Sequence, residues 1–347
     1  MLSNFFSSIS KAPQTTAKWP GAPCTQDAMT FSRTFLPIVY SFVFVLGMVG
    51  NGMVILVLIC RWRRKDITGI YVFCLALSDI LLALTLPLWA YNAANTWVFG
   101  NFLCKLTSMI YSINFYAGVL LLACLSADRF FAVCAIHSQQ LHRPHIAIVN
   151  CTLVWVIAFL LSIFDLVMIT VIEYTDENTT TWKCKPIFPA GNEENWQIGL
   201  AILKSVATFF VPFTIMVFCY AAIIVKLNRV PNFKQHKTIR TIIAVICVFF
   251  ICWLPYNVVI LVEANILFQR NHSCTSQKDI QYALQFTEAI AYIHCCLNPV
   301  LYAFIGIRFP QLKHMGRRLR ELLRQQLDST NSSQQRNVPF CLNLSTF

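Results

Sequence analysis

The sequence predicts an all-α membrane protein, a seven-transmembrane-helix bundle with a short cytosolic amphipathic helix. Three observations predict it. The 347 residues are 57% hydrophobic and only 12% charged, too apolar for a soluble chain of this length, which would usually split into about two domains. Seven apolar stretches each exceed the ~20 residues needed to cross the hydrocarbon core. Basic residues gather on alternate connections: segments 61–66, 135–144, 226–240 and 306–324 carry sixteen Lys and Arg, against three on residues 1–33 and few in the other loops. The positive-inside rule then puts the N-terminus outside and the tail in the cytosol, in keeping with an odd number of spans.

Residues 1–34 read as an extracellular arm, rich in Ser, Thr and Pro and without periodicity. Met1–Lys18 lacks the basic start and apolar core of a cleavable signal, so the first helix must act as its own insertion signal. The seven-helix domain occupies 35–305, with helices expected at Phe35–Cys60, Ile67–Asn92, Cys104–Cys134, His145–Val171, Trp196–Leu227, Thr238–Leu267 and Asp279–Ile305. Residues 306–347 hold the amphipathic helix and tail. Over Arg308–Leu323, Phe309, Leu312, Met315, Leu319 and Leu322 interleave with Lys313, Arg317, Arg318 and Arg320, the pattern of a helix lying along the inner leaflet. Ser329, Thr330, Ser332 and Ser333 beyond it are candidates for phosphorylation.

The net charge of +12 therefore belongs to the cytosolic face rather than to a nucleic-acid surface. It orients the chain and attracts anionic lipids, and can also dock a cytosolic partner. Of fifteen cysteines, ten fall within helices as small apolar fillers. Cys24, Cys104, Cys184 and Cys274 face the oxidising side, so two bridges are expected, with three connectivities open. Asn178 and Asn271 head sequons in outer loops and are glycosylation candidates. Loop 172–195 is net acidic. Neither a nucleophile–base pair nor a metal-ligand spacing stands out, so no enzyme is expected. Internal repeats and broken mid-membrane helices, the marks of transporters, are not evident either.

Charge is costly inside a bilayer, so ionisable groups on membrane helices are functional hypotheses by default. Polar landmarks and prolines occur on all seven helices: Gly50-Asn51; Leu75-Ala76-Leu77-Ser78-Asp79; Asp128-Arg129-Phe130; Trp155; Pro212 with Tyr220; Cys252-Trp253-Leu254-Pro255; and Asn298-Pro299-Val300-Leu301-Tyr302. Each is weak alone. The ordered set resembles the rhodopsin-like G-protein-coupled receptors.

That resemblance implies an activation switch. Asp128 neutralises Arg129 at rest, and a freed Arg129 reaches into a cavity opened by the sixth helix. Pro255 removes a backbone hydrogen bond and kinks that helix, and Trp253 reports a ligand to it. Tyr220 and Tyr302 hold the open state, Pro299 belongs to the same set, and Asp79 with Asn298 and Asn114 would hold a structural sodium ion favouring the closed one. One position departs: the family usually has tyrosine where this chain has Phe130. The inner end of the sixth helix also lacks an acid to lock Arg129, with Gln235 and Lys237 in that region.

A retinal ligand would need a Schiff-base lysine in the seventh helix, and 280–305 contains none. An amine ligand would need a carboxylate midway along the third helix, where Tyr111 stands. Thr85-Leu86-Pro87-Leu88-Trp89, Trp97-Val98-Phe99-Gly100 and His294-Cys295-Cys296-Leu297-Asn298-Pro299 resemble the chemokine receptors. Asn114-Phe115-Tyr116-Ala117-Gly118 with Leu121-Leu122-Ala123-Cys124 looks most like their CXC subgroup, in particular the type-three receptors.

The resemblance implies bridges Cys104–Cys184 and Cys24–Cys274, and a pocket of Trp89, Tyr111, Asp165, Tyr256 and Glu288 that takes the positively charged N-terminus of a CXC chemokine. It implies a plasma-membrane receptor that activates an inhibitory-class heterotrimeric G protein, with arrestin and receptor kinases meeting the tail and membrane lipids around the bundle. Lys204, a lone intramembrane cation, is expected to pair with a neighbouring acid. Relatives carry an acidic, tyrosine-containing arm, whereas residues 1–33 here are net +2 and hold no tyrosine; steering of a basic ligand by the arm is absent or reversed. Phe164 stands where relatives usually have proline. Phe130 and this arm also suit an atypical receptor that internalises chemokine without signalling.

Overall fold

The computed structural model describes residues 26–60, 67–134, 144–176, 179–227, 233–269 and 273–305. Seven helices form the bundle: α1 (Gln26–Cys60), α2 (Ile67–Ala94), α3 (Gly100–Cys134), α4 (Pro144–Met168), α5, α6 (Phe233–Phe268) and α7 (Cys274–Ile305). Helix α5 is in three pieces, Glu193–Ser205, a π-helical turn Val206–Phe210 and Val211–Leu227. Pro212 lies just past the π turn and has no N–H to donate, so the ladder is rearranged where it would otherwise break.

Polarity is turned inside out relative to a soluble protein. Phe42, Val45 and Val49 on α1, Val156 and Leu160 on α4, and Phe218 and Val225 on α5 point outward, while Asn51, Ser78, Asp79, Asn114, His294 and Asn298 are buried. Lipid on the outside accounts for both halves of that pattern. Among the described residues six helices are long and apolar enough to span, and α7, at 32 residues, completes the bundle. Helix α3 packs on α2, α4 and α5; α7 packs on α1 and α6.

The α1–α7 contact shows why Gly50-Asn51 and Pro299 occur together. Pro299 cannot donate to the carbonyl four residues back, which is Cys295. Asn51 Nδ2 donates to that carbonyl at 2.9 Å and to Gly47 O at 3.1 Å. Gly50 lets the helices meet: a Cβ there would lie 2.9 Å from Pro299 Cγ.

Besides α3, α6 and α7, which begin four or five residues earlier than expected, at Gly100, Phe233 and Cys274, two further boundaries are corrected. Helix α1 starts at Gln26, nine residues early, because Ala28 is buried, its carbonyl accepts from Gln285 Nε2 at 3.3 Å, and Phe31 packs on Phe35 and Phe286. Helix α4 stops at Met168, and what reads as helix end and loop is an antiparallel hairpin, β1 (Ile169–Asp176) with β2 (Thr179–Pro186), pairing Val171 with Cys184 and Glu173 with Trp182. Short β-branched runs such as Ile169-Thr170-Val171-Ile172 carry the same apolar signal as a helix end. The amphipathic helix and tail from 306, the arm up to 25 with Cys24, and the sequon residues Asn178 and Asn271 lie outside the described residues, as does the side chain of Tyr302.

Candidate functional site

The hairpin is tied down at one end of the bundle. Cys184 of β2 is disulfide-bonded to Cys104 at the start of α3, with Cα atoms 5.7 Å apart, and Cys274 is disulfide-bonded as well. Trp97, fully buried, donates Nε1 to Gly100 O at 2.8 Å, and its own N–H donates to Trp182 O at 2.8 Å. Gly100, at φ +76°, makes the turn into α3. Lys105 Nζ caps the end of α4 by donating to Leu166 O and Ile169 O at 2.9 and 2.6 Å. On β2, burial pushes the Lys183 ammonium below its usual pKa, and the like charges of Lys185 and Arg33 push the same way.

Below the hairpin lie the five expected pocket residues, in two groups and an outlier. In the first, Glu288 accepts from Tyr292 OH at 3.2 Å. Tyr292 packs edge-on to Tyr40 at 5.3 Å and lies 5.7 Å from Tyr111, and Tyr256 lies beside Tyr111. One carboxylate is thus ringed by four tyrosines from α1, α3, α6 and α7. In the second, Asp165 accepts from Lys204 Nζ at 2.5 Å through one oxygen and from Ser112 Oγ at 2.7 Å through the other. Lys204 has the acid expected for it, and that acid is one of the expected pocket carboxylates. Trp89 packs on Trp97 at 5.4 Å, its indole N–H buried without a partner. Phe164 stacks on Trp196 at 6.0 Å, joining α4 to α5.

The middle layer links these groups to the core. Trp253 lies 4.4 Å from Phe115 and 5.3 Å from His294. Under it the three expected sodium-site residues converge: Asn298 Nδ2 donates to Asp79 Oδ2 at 3.0 Å, and Asn114 Nδ2 donates to Ser78 Oγ at 2.9 Å and more weakly to Asp79 Oδ1 at 3.4 Å. The buried carboxylate suits a cation, which would need the two amides to turn from N–H to carbonyl oxygen, since both aim Nδ2 at Asp79 here. Pro255 falls within α6 and Pro299 within α7.

At the far end of α3, Arg129 Nη2 lies 3.0 Å from Asp128 Oδ2 and donates to Thr68 Oγ1 of α2 at 2.6 Å. The first contact is close in distance but not aligned as a hydrogen bond. Tyr220 is buried near Arg129 and Ser126, but Ser126 donates to Leu122 O, and the tyrosine hydroxyl has no aligned partner. Phe130 lies 5.9 Å from Phe218 and lines, with Ala221, Val225 and Lys226, an apolar groove of about 430 Å³ between α3 and α5.

Thr68, Ser112, Tyr40, Tyr292 and Lys105 were not singled out from sequence. Each is a common residue type; Thr68, Ser112, Tyr40 and Lys105 meet partners on other elements, and Tyr292 reaches Glu288 one turn away on its own helix, a spacing too common to mark it.

Residues 50–302 match the family described as 7 transmembrane receptor (rhodopsin family). The chain is 38% identical over 292 residues to C-X-C chemokine receptor type 3 of Bos taurus, covering 83% of this chain and 78% of that one. It is 40% identical over 292 residues to human C-C chemokine receptor type 6, covering 82% and 76%, and 36% identical over 289 residues to C-X-C chemokine receptor type 2 of Gorilla gorilla gorilla, covering 83% and 81%. The chain belongs to the rhodopsin family of seven-transmembrane receptors, and within it to the chemokine receptors. It is a multi-pass membrane protein and not an enzyme.

Proposed function

We propose that this receptor sits in the plasma membrane with its N-terminus outside, binds a CXC chemokine, and activates a heterotrimeric G protein of the inhibitory class. The observation that supports this most is Arg129 held by both Asp128 and Thr68 in a bundle that also carries Glu288 among four tyrosines. A cationic chemokine N-terminus reaching Glu288 moves the tyrosines around it. Tyr256 is on α6, 5.9 Å from Trp253, so the same contact bears on the helix that must swing out to free Arg129. The ligand shifts a two-state bundle by as much as it prefers the open form. A sodium ion on Asp79, Asn114 and Asn298 would favour the closed one. Arrestin and receptor kinases would act at the tail, and inner-leaflet lipids along the basic face.

Phe130 supports a second reading, a scavenger that internalises chemokine without signalling: the ring keeps its packing on Phe218 but offers no hydroxyl. One experiment separates the two. Cells expressing the receptor are exposed to a panel of CXC and CC chemokines, and cyclic-AMP suppression and uptake of labelled chemokine are read in the same wells. Suppression by a CXC chemokine bears the proposal out. Uptake without suppression makes the protein a scavenger, and suppression by CC ligands alone overturns the CXC assignment.

A further inference from the structure

We propose that the groove between the ends of α3 and α5 binds one anionic glycerophospholipid, with an acyl chain along the groove and the phosphate on Lys226. Such a site goes beyond the general attraction of a basic face for anionic lipid. It rests on the orientation proposed above, which puts this end of the bundle in the inner leaflet.

Residue spacing builds the two walls. Phe130 and Cys134 are four apart on α3, and Phe218, Ala222 and Val225 are spaced by four and three on α5, so each set lies along one side of its helix. Ile223, among them in sequence, is fully buried in the core, whereas Phe218 and Val225 are exposed. The space between the walls is about 430 Å³. A water takes roughly 30 Å³ and needs two to four polar partners. This lining offers water few, so an apolar chain suits it better.

Charge selects the headgroup. Lys226 stands in the last turn of α5, half-buried at the groove. Its ammonium has no hydrogen bond or ion pair among the described residues. The segments that continue α3 and α5, residues 135–143 and 228–232, contain no Asp or Glu, and Asp128 is taken by Arg129. A half-buried cation needs an anion. Lysine stems lie along apolar surface and carry the charge to the interface, where the inner leaflet supplies anionic lipid. A neutral sterol would fit the walls and leave the ammonium unmatched. Phe130 belongs to the same account, since a tyrosine there would add a hydroxyl to an apolar wall. An occupant bridges α3 and α5 beside Arg129, and so shifts the bundle toward whichever state binds it better.

The test uses the purified full chain in phosphatidylcholine nanodiscs. A trace of phosphatidylserine carries a photoreactive diazirine on its acyl chain, and a matching phosphatidylcholine probe is run in parallel. Labelled peptides are read by mass spectrometry, with the outward side of α1 around Phe42, Val45 and Val49 as the reference for annular lipid. We expect the phosphatidylserine probe to label Phe130–Cys134 and Phe218–Lys226 several-fold above α1. Lys226→Gln should lower that labelling about fivefold, the weight of one lysine at an anionic surface. Ala222→Leu, which fills the groove, should bring it to the α1 level. Equal labelling by the phosphatidylcholine probe, or indifference to Lys226→Gln, would mean annular lipid only and overturn the proposal. So would a sterol probe that labels the groove in place of phosphatidylserine, or a groove left unlabelled because a second receptor copy covers it. If Ala222→Leu does not fold, Lys226→Gln decides. The probe is in both leaflets and neither chemokine nor G protein is present, so the outcome is independent of the proposed orientation and function. Orientation is read separately, from antibody access to an N-terminal tag on intact cells.

Discussion

Lys204 on α5 and Asp165 on α4 form an ion pair at 2.5 Å, and Ser112 on α3 donates to the second carboxylate oxygen. An acid expected to greet a cationic ligand is therefore already paired with a lysine, and three helices are tied together there. Glu288, which accepts only from a neutral tyrosine in the described contacts, is left as the stronger candidate for a ligand's positive charge.

The pair should be measurable by a double-mutant cycle on Lys204→Met and Asp165→Asn. Coupled sites show interaction energies of roughly 0.5–3 kcal/mol. A value near the lower end is expected, because Lys204 is 35% exposed and water screens it. Melting shifts that simply add would show that the contact contributes nothing to stability.

Glu288→Gln keeps an acceptor for Tyr292 and removes the charge. Agonist potency should drop by about tenfold or more, the scale of a lost charged hydrogen bond, with cell-surface expression unchanged. A full response at unchanged potency would remove Glu288 from the mechanism.

Thr68→Val deletes the hydroxyl that accepts from Arg129 at 2.6 Å and preserves the shape of the side chain. With one of its two anchors gone, Arg129 should be released more often, and nucleotide exchange without ligand should rise. Basal exchange equal to or below that of the wild type would show that Thr68 does not restrain Arg129.

Asn51→Leu should cost about 1–3 kcal/mol by leaving the Cys295 carbonyl buried without its donor. Gly50→Ala should also destabilise, by about 1–3 kcal/mol, since its Cβ meets the Pro299 ring at 2.9 Å. Melting temperatures in one detergent check both. Wild-type stability in either variant would mean that α1 and α7 shift apart without penalty.

Lys183 adds positive charge beside Arg33 and Lys185, on the side where a basic ligand would arrive. Lys183→Glu should raise the association rate of such a ligand, more at low salt than at high, because exposed charges are screened beyond about 10 Å at 0.1 M. A rate indifferent to both charge and salt would rule out steering at this edge.

Much of this was legible in the residues. Seven helices and the meeting of Asp79, Asn114 and Asn298 follow from hydropathy and ordered landmarks, and Lys204 was expected to have an acid. The hairpin was not legible, because Ile169–Ile172 is as apolar as the helix before it. Nor were Thr68 and Tyr40, which carry no signal until a neighbouring helix brings Arg129 or Tyr292 to them.

By itself the sequence determined the number of spans and the residues that must avoid lipid, because membrane insertion responds to local apolarity and charge. Only the tertiary structure decided that Lys204 meets Asp165, that Asn51 serves the carbonyl Pro299 leaves open, and that His294 lies 3.9 Å from Asp79. Those partners lie tens to hundreds of residues apart, and their pairing depends on how each helix is rotated and how closely it approaches the next.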